Sequence, residues 1–162
     1  MKVLVFGNSG SGKSTYARAL AVREGLAHLD LDSIVWGPGK IAVQRSSESV
    51  AASLKSFIDS HTAWVIDGCY SELVRAASAH CSLLVFLNPG VDVCLANNLG
   101  RRWEPHKYAS PELQNVMLTQ LQEWVTGYYQ REDAWSYRVH REIFDTFIGP
   151  KVEHRAASAY AA

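Results

Sequence analysis

Cysteine is scarce in this sequence. The three that occur are Cys69, Cys81 and Cys94, and no C-x-x-C pair is present. An odd number of isolated cysteines supplies neither a disulfide framework nor a tetrahedral zinc site. We therefore expect reduced thiols, as in a cytoplasmic protein.

Excess charge of one sign and long apolar runs are also missing. Sixteen basic residues balance sixteen acidic ones, which disfavours a nucleic-acid partner because such binders carry a basic surface. No apolar stretch is long enough to cross a bilayer, and the N-terminal apolar run ends at Gly7, too soon for a signal peptide. The predictions are a cytoplasmic location and no membrane partner, with the oligomeric state left open.

Short apolar runs alternate with helical patterns along the chain. This alternation predicts right-handed β-α-β units and an α/β fold with a parallel sheet covered on both faces. Residues 1–155 are expected to form one domain, and 156–162 a disordered tail. The strands are predicted near 3–6, 27–30, 63–67 and 83–87. The helices are predicted at 13–24, from 47, from 91, from 110–112 and at 134–145, with a loop at Gly37-Pro38-Gly39.

One predicted helix carries an apolar stripe at helical spacing. Such a stripe is typical of a face that packs on the core. Its members are Leu113, Met117, Leu121, Trp124 and Tyr128.

A glycine-rich loop lies between the first predicted strand and the first predicted helix. It fits the Walker A pattern G-x-x-x-x-G-K-[ST] with no mismatch, in the strand–loop–helix context that the motif requires. A glycine-rich turn of purely structural role is the alternative. The predicted nucleotide-binding residues are Gly7, Asn8, Ser9, Gly10, Ser11, Gly12, Lys13, Ser14 and Thr15.

The residue types in this loop match the chemistry of a triphosphate. Glycines let backbone N–H groups approach phosphate oxygens, and the helix that follows points its positive end at the same anion. We expect Lys13 to contact the β- and γ-phosphates, Ser14 to bind Mg²⁺ and Thr15 to contact the α-phosphate. The predicted cofactors are ATP and Mg²⁺.

Three aspartates lie at or just after the ends of the second and third predicted strands. Asp67 ends its strand before Gly68 and is predicted to hold Mg²⁺ together with Ser14. Asp30 and Asp32 form a D-x-D, and Asp32 is predicted to orient the phosphoryl acceptor and take its proton. Each of the three has a simpler alternative as a carboxylate that caps or shapes its turn.

A basic and aromatic stretch, 101–108, begins with Arg101 and Arg102. Guanidinium groups neutralise the charge of a moving phosphoryl group, so both arginines are predicted to be catalytic residues of a lid at about 100–112. A solvated helix end is the alternative for both. Lys151 is a candidate neighbour of the adenine ring, with a surface lysine as its alternative.

The segments 3–15, 29–32, 64–70 and 84–89 resemble small bacterial P-loop kinase-like proteins, of the type named DNA topology modulation proteins, in the adenylate- and shikimate-kinase-like superfamily. The resemblance implies a three-layer α/β/α P-loop NTPase sandwich with a helical lid. Its parallel sheet would have the order 2-3-1-4, to which a fifth strand can be added, although 134–153 gives no clear strand. By position it matches Lys13 and Ser14 to the phosphate and Mg²⁺ residues, Asp67 to the second-strand carboxylate, and Arg101 or Arg102 to the lid arginine.

The sequence departs from these relatives on the acceptor side. Adenylate kinases have Asp-Gly-Phe-Pro-Arg where this chain has Asp-Gly-Cys-Tyr-Ser at 67–71, and the glycine triplet of shikimate kinases is absent. AMP and shikimate are therefore disfavoured as acceptors. The leading hypothesis is an ATP- and Mg²⁺-dependent phosphotransferase with an unidentified small-molecule acceptor that bears a hydroxyl or a phosphate. The alternative is a regulatory ATPase or switch that acts through a protein partner.

Overall fold

A computed structural model of the chain describes residues 1–37, 40–105 and 108–157, with the backbone alone at 40–42. Five of its strands form one sheet, and two more form a separate hairpin. In chain order the elements are β1 (Lys2–Gly7), α1 (Lys13–Glu24), β2 (Ala27–Asp30), α2 (Asp32–Val35), β3 (Trp36–Gly37), β4 (Lys40–Gln44), α3 (Ser47–Ser60), β5 (Trp64–Gly68), α4 (Ser71–Ser78), β6 (Leu83–Leu87), α5 (Val91–Leu99), α6 (Pro111–Thr126), α7 (Tyr137–Thr146) and β7 (Lys151–His154).

The large sheet is parallel and has the order β2-β5-β1-β6-β7. This order confirms the predicted 2-3-1-4 arrangement and adds a fifth strand at its edge. The expectation of no clear strand in 134–153 was wrong, because β7 occupies Lys151–His154. This strand has only four residues, three of them polar or charged, so it lacks the apolar run that marked the others.

Both faces of the sheet are buried, as the continuous apolar runs predicted. In β1 the side chains of Val3 and Val5 pack with Ala17 and Leu20 of α1. The alternate residues, such as Phe6, point to the opposite face, which α3, α4 and α7 cover. Helices on both faces give the predicted three layers.

Two local features near the second strand were not predicted. The chain turns at Leu31 directly after β2, and Asp32 opens the short helix α2. The hairpin of β3 and β4 was not predicted. The predicted loop residues Pro38 and Gly39, His106 and Lys107 of the predicted lid, and 158–162 of the predicted tail lie outside the described residues.

The prediction for the apolar stripe of α6 was wrong. Leu113 is 45% exposed, and of the five stripe residues only Tyr128, beyond the end of the helix, is fully buried. The stripe does not face the sheet because α6 packs mainly against α5, and its first turns stand away from the core. Within the part of the chain that the structure describes, every helix is too short or too polar to cross a membrane.

Candidate functional site

The loop between β1 and α1 turns sharply at its glycines. Gly10 and Gly12 have φ angles of 82° and 90°, a region that residues with a Cβ rarely adopt. A Cβ on Gly7 would lie 2.2 Å from the carbonyl oxygen of Leu87. Glycine is therefore required at these positions, and α1 starts directly after them with its N-terminus at the loop.

Two helices hold the loop from outside, a feature that the sequence did not predict. Asn97 of α5 donates from Nδ2 to the carbonyl oxygen of Gly10 at 2.8 Å. Asn8, itself 3% exposed, donates from Nδ2 to the carbonyl oxygen of Val125 in α6 at 3.3 Å. The loop thus has a fixed position relative to both helices that flank the 100–112 segment.

Lys13, Ser14 and Asp67 lie together at the end of the sheet. Lys13 Nζ donates to the carbonyl oxygen of Asn8 at 2.7 Å, and Ser14 Oγ donates to Asp67 Oδ2 at 2.7 Å. The other carboxylate oxygen, Oδ1, is 2.6 Å from His28 Nε2. Asp67 is 1% exposed, so these two contacts fix a carboxylate that faces the loop.

The chemistry of this pair suits Mg²⁺. Mg²⁺ prefers oxygen ligands and is usually held by one or two protein groups together with phosphate oxygens and water. Ser14 Oγ and Asp67 Oδ2 are oxygen atoms of this kind, and they lie side by side next to the glycine-rich loop. In the described residues no three His, Cys, Asp or Glu side chains form a group that could hold a metal ion by themselves.

A second group of polar side chains lies at the end of β2. Asp30 Oδ1 accepts from the backbone N–H of Asp32 at 2.9 Å, so Asp30 shapes its turn, as its simpler alternative proposed. Tyr70 donates from its hydroxyl to Asp32 Oδ1 at 2.6 Å, and Trp36 Nε1 donates to the Tyr70 oxygen at 2.9 Å. Burial raises the pKa of Tyr70 well above its usual value, and the carboxylate of Asp32 adds to this effect. Tyr70 therefore remains a donor that orients Asp32.

Arg101 and Arg102 lie on the connection between α5 and α6. Both are exposed, and Arg101 forms an ion pair with Glu104 at 3.9 Å. Gln114 of α6 holds this connection through two hydrogen bonds, to the Glu104 N–H at 2.8 Å and to the Arg102 carbonyl oxygen at 3.1 Å. The described residues from 101 to 110 form no helix or strand.

Lys151 does not lie at the end of the sheet where the glycine-rich loop lies. It pairs with Leu84 at the start of β6, whereas Gly7 pairs with Leu87 at the other end. Its Nζ donates to three carbonyl oxygens at the end of α7, where a cation is stabilised by the helix dipole. The structure therefore favours the alternative for Lys151, an exposed surface lysine, over a neighbour of the adenine ring.

The three cysteines are free thiols, as predicted. Burial raises the pKa of Cys69, which follows Gly68, to about 12, and the pKa of Cys81 and of Cys94 to about 11. None of them is a thiolate nucleophile at neutral pH.

Four residues of the candidate site were not identified as site residues from the sequence: His28, Trp36, Tyr70 and Asn97. His28 precedes Asp30 by two positions on the same strand, so alternation could have placed it on the same face. Asn97 and Trp36 carried no such signal.

No protein-family model matches the chain, and the search of curated proteins found no match. Solved structures do match over most of its length. The YorR protein from Bacillus subtilis, solved in complex with phosphorylated GDP, is 11% identical, with 95% of this chain and 85% of that chain covered and a TM-score of 0.52.

Two further similar structures are kinases. A shikimate kinase from Acinetobacter baumannii, in complex with shikimate, is 18% identical and covers 88% of this chain and 90% of its own, with a TM-score of 0.44. A gluconokinase from Sinorhizobium meliloti 1021 is 18% identical and covers 81% and 97%, with a TM-score of 0.42. At these identities the likeness concerns the fold alone: a parallel five-stranded α/β sheet flanked by helices.

Proposed function

We propose that the protein is a phosphotransferase that moves the γ-phosphoryl group of ATP to a hydroxyl group of a small molecule. One observation carries this proposal. A phosphate-type loop, an oxygen pair suited to Mg²⁺ and an oriented aspartate lie at the same end of three neighbouring strands, β1, β5 and β2. Open α/β sheets bind their ligands at this edge.

The donor side consists of the loop, Lys13 and the pair of Ser14 and Asp67. When ATP binds, its β- and γ-phosphate oxygens take the place of the Asn8 carbonyl oxygen as acceptors for Lys13 Nζ. Mg²⁺, held by Ser14 and Asp67, would neutralise the charge of the phosphates. Arg101 and Arg102 are exposed on the connection from α5 and stabilise the moving phosphoryl group when that connection approaches the nucleotide.

On the acceptor side, the carboxylates favour a hydroxyl over a phosphate. Asp30 and Asp32 repel a second phosphate, whereas a hydroxyl needs an acceptor for its proton. The acceptor O–H bond breaks, its oxygen bonds to the γ-phosphorus, the bond from that phosphorus to the β-phosphate oxygen breaks, and ADP leaves. The proton passes to Asp32, whose carboxylate Tyr70 orients.

A thermal-shift screen of hydroxyl-bearing metabolites, with a non-hydrolysable ATP analogue and Mg²⁺, tests this proposal. A compound that binds as acceptor is expected to raise the melting temperature by mass action. The same compound is then expected to support ATP turnover by the protein. Asp32→Asn is expected to slow this turnover by about 100-fold or more, in the range for loss of a general base. Asp59→Asn is the matched control, because Asp59 is exposed and pairs only with Lys55 among the described residues. ATP binding without turnover on any compound would contradict a kinase and favour the regulatory ATPase.

Changing Asp67 tests the cation site separately. Asp67→Asn keeps the shape of the side chain but removes the charge that attracts Mg²⁺. The Mg²⁺ concentration needed for half-maximal turnover is expected to rise by about 10- to 100-fold, as for loss of an oriented metal-site group. A Mg²⁺ titration of basal ATP hydrolysis measures this. An unchanged requirement, with Asp59→Asn as reference, would remove Asp67 from the cation site.

A further inference from the structure

His140 of α7 is a fully buried polar residue that the proposed reaction does not use. Its ring lies edge-on to Phe6, the last core residue before the phosphate loop, with 5.4 Å between ring centroids. Tyr128 lies on another side, with ring centroids 5.7 Å apart. His140 is therefore enclosed at the point where β1, the end of α6 and α7 meet.

Both ring nitrogens of His140 have a partner. Nε2 is 2.9 Å from the carbonyl oxygen of Cys69, which can only accept, so Nε2 carries the proton and donates. In the neutral ring Nδ1 then accepts from the hydroxyl of Tyr128 at 2.8 Å. The ring is thereby fixed in one tautomer and one orientation.

Each partner leads to a different side of the candidate site. Tyr128 lies three positions after Val125, and the carbonyl oxygen of Val125 accepts a hydrogen bond from Asn8 in the phosphate loop. Cys69 precedes Tyr70, whose hydroxyl donates to Asp32. One path from the donor loop to the acceptor carboxylate therefore passes through His140, beside the direct pairing of Phe6 with Gly68.

The acceptor-side segment has a second tie to the same region. Ser71 Oγ donates to the carbonyl oxygen of Ala134, in the connection between α6 and α7. The segment 68–71 is thus held by the polypeptide around α7 as well as by its own strand, and a shift of that region would move Tyr70.

We propose that His140 is a positioning residue that links the phosphate loop to the segment 68–71, so that nucleotide binding orders the acceptor side. This inference rests on the proposed function for its ligand, ATP. His140 touches neither substrate. It acts through Cys69 and Tyr70 on the orientation of Asp32.

Hydrogen exchange measured on the whole protein tests this link, with a non-hydrolysable ATP analogue and Mg²⁺ as the probe. In the wild type the analogue is expected to slow exchange of the 68–71 amides by about tenfold, within the usual range of coupling between sites. Tyr128→Phe keeps the ring and removes only the hydroxyl, so it is expected to reduce the slowing to less than about twofold. The affinity for the analogue should stay close to that of the wild type.

Two further variants separate positioning from general stability. Tyr129→Phe is the matched control, because the Tyr129 hydroxyl donates to Asn88 and not to His140; it should keep the full slowing. His140→Gln retains a side-chain N–H for the Cys69 carbonyl oxygen. It should therefore keep more of the nucleotide-dependent slowing of exchange at 68–71 than His140→Leu does. A merely structural role would lower the melting temperature without changing this nucleotide-dependent response.

The outcomes are distinct. Equal slowing in Tyr128→Phe and the wild type, or no slowing in a wild type that binds the analogue, overturns the positioning role and leaves the proposed function intact. Failure of the wild type to bind the analogue overturns the proposed function, and this inference with it.

Discussion

Replacing Lys13 with alanine is expected to slow ATP turnover by about 100- to 1000-fold, the usual effect of removing one charge-stabilising donor from an active site. Lys13 Nζ already points into the loop, where it donates to the Asn8 carbonyl oxygen at 2.7 Å. The variant removes the cation for the β- and γ-phosphates and leaves the backbone N–H groups in place. It should therefore still fold while losing most of its turnover.

Steady-state hydrolysis and calorimetric binding of an ATP analogue measure this effect. Lys55→Ala is the control, because Lys55 is exposed on α3 and pairs with Asp59. A Lys13→Ala variant whose turnover and affinity stay within about threefold of the wild type would contradict the assignment of the loop. A change of that size is much smaller than the loss typical of a missing donor.

Acidification from pH 7 to pH 4 is expected to lower the free energy of unfolding by about 3 kcal/mol through His140 alone. Burial lowers the pKa of His140 from 6.5 to about 4, partly offset by its hydrogen bond to Cys69. The unfolded chain therefore binds more protons than the folded one between these two values. The contribution of His140 is complete above about pH 6.5 and is lost as the pH falls towards 4.

Denaturant unfolding of the wild type and His140→Gln at several pH values isolates this effect. The variant is less stable at pH 7 because its packing is poorer, but the difference between the two proteins should shrink as the pH falls. His80→Gln, at an exposed histidine, should follow the wild type throughout. A constant difference between wild type and His140→Gln would contradict a buried neutral His140.

Much of the fold could be predicted because its signals are local. The apolar run of β1 ends at a glycine, and α1 begins and ends as predicted, at Lys13 and Glu24. β7 could not be predicted, because a short edge strand with Lys151, Glu153 and His154 is stabilised by its neighbour β6 and not by its own composition. The turn at Leu31 likewise depends on a hydrogen bond to the Asp67 carbonyl oxygen, far away in sequence.

Part of the geometry of the candidate site was also predictable from the sequence. The motif located the loop, and the strand ends predicted the pairing of Ser14 with Asp67 across 53 positions. The orienting contacts of His28, Tyr70 and His140 join residues 38 to 71 positions apart. They depend on how the layers pack, which single-residue patterns do not encode.

The central claim, transfer of a phosphoryl group from ATP to a hydroxyl, is tested most directly by ³¹P NMR. The protein would be incubated with ATP, Mg²⁺ and the hydroxyl compounds that stabilise it. The expected result is loss of the γ-phosphate signal with equal growth of ADP and of a phosphate monoester, and neither change with Asp32→Asn. A diphosphate signal other than that of ADP, release of inorganic phosphate alone, or unchanged ATP would contradict the account.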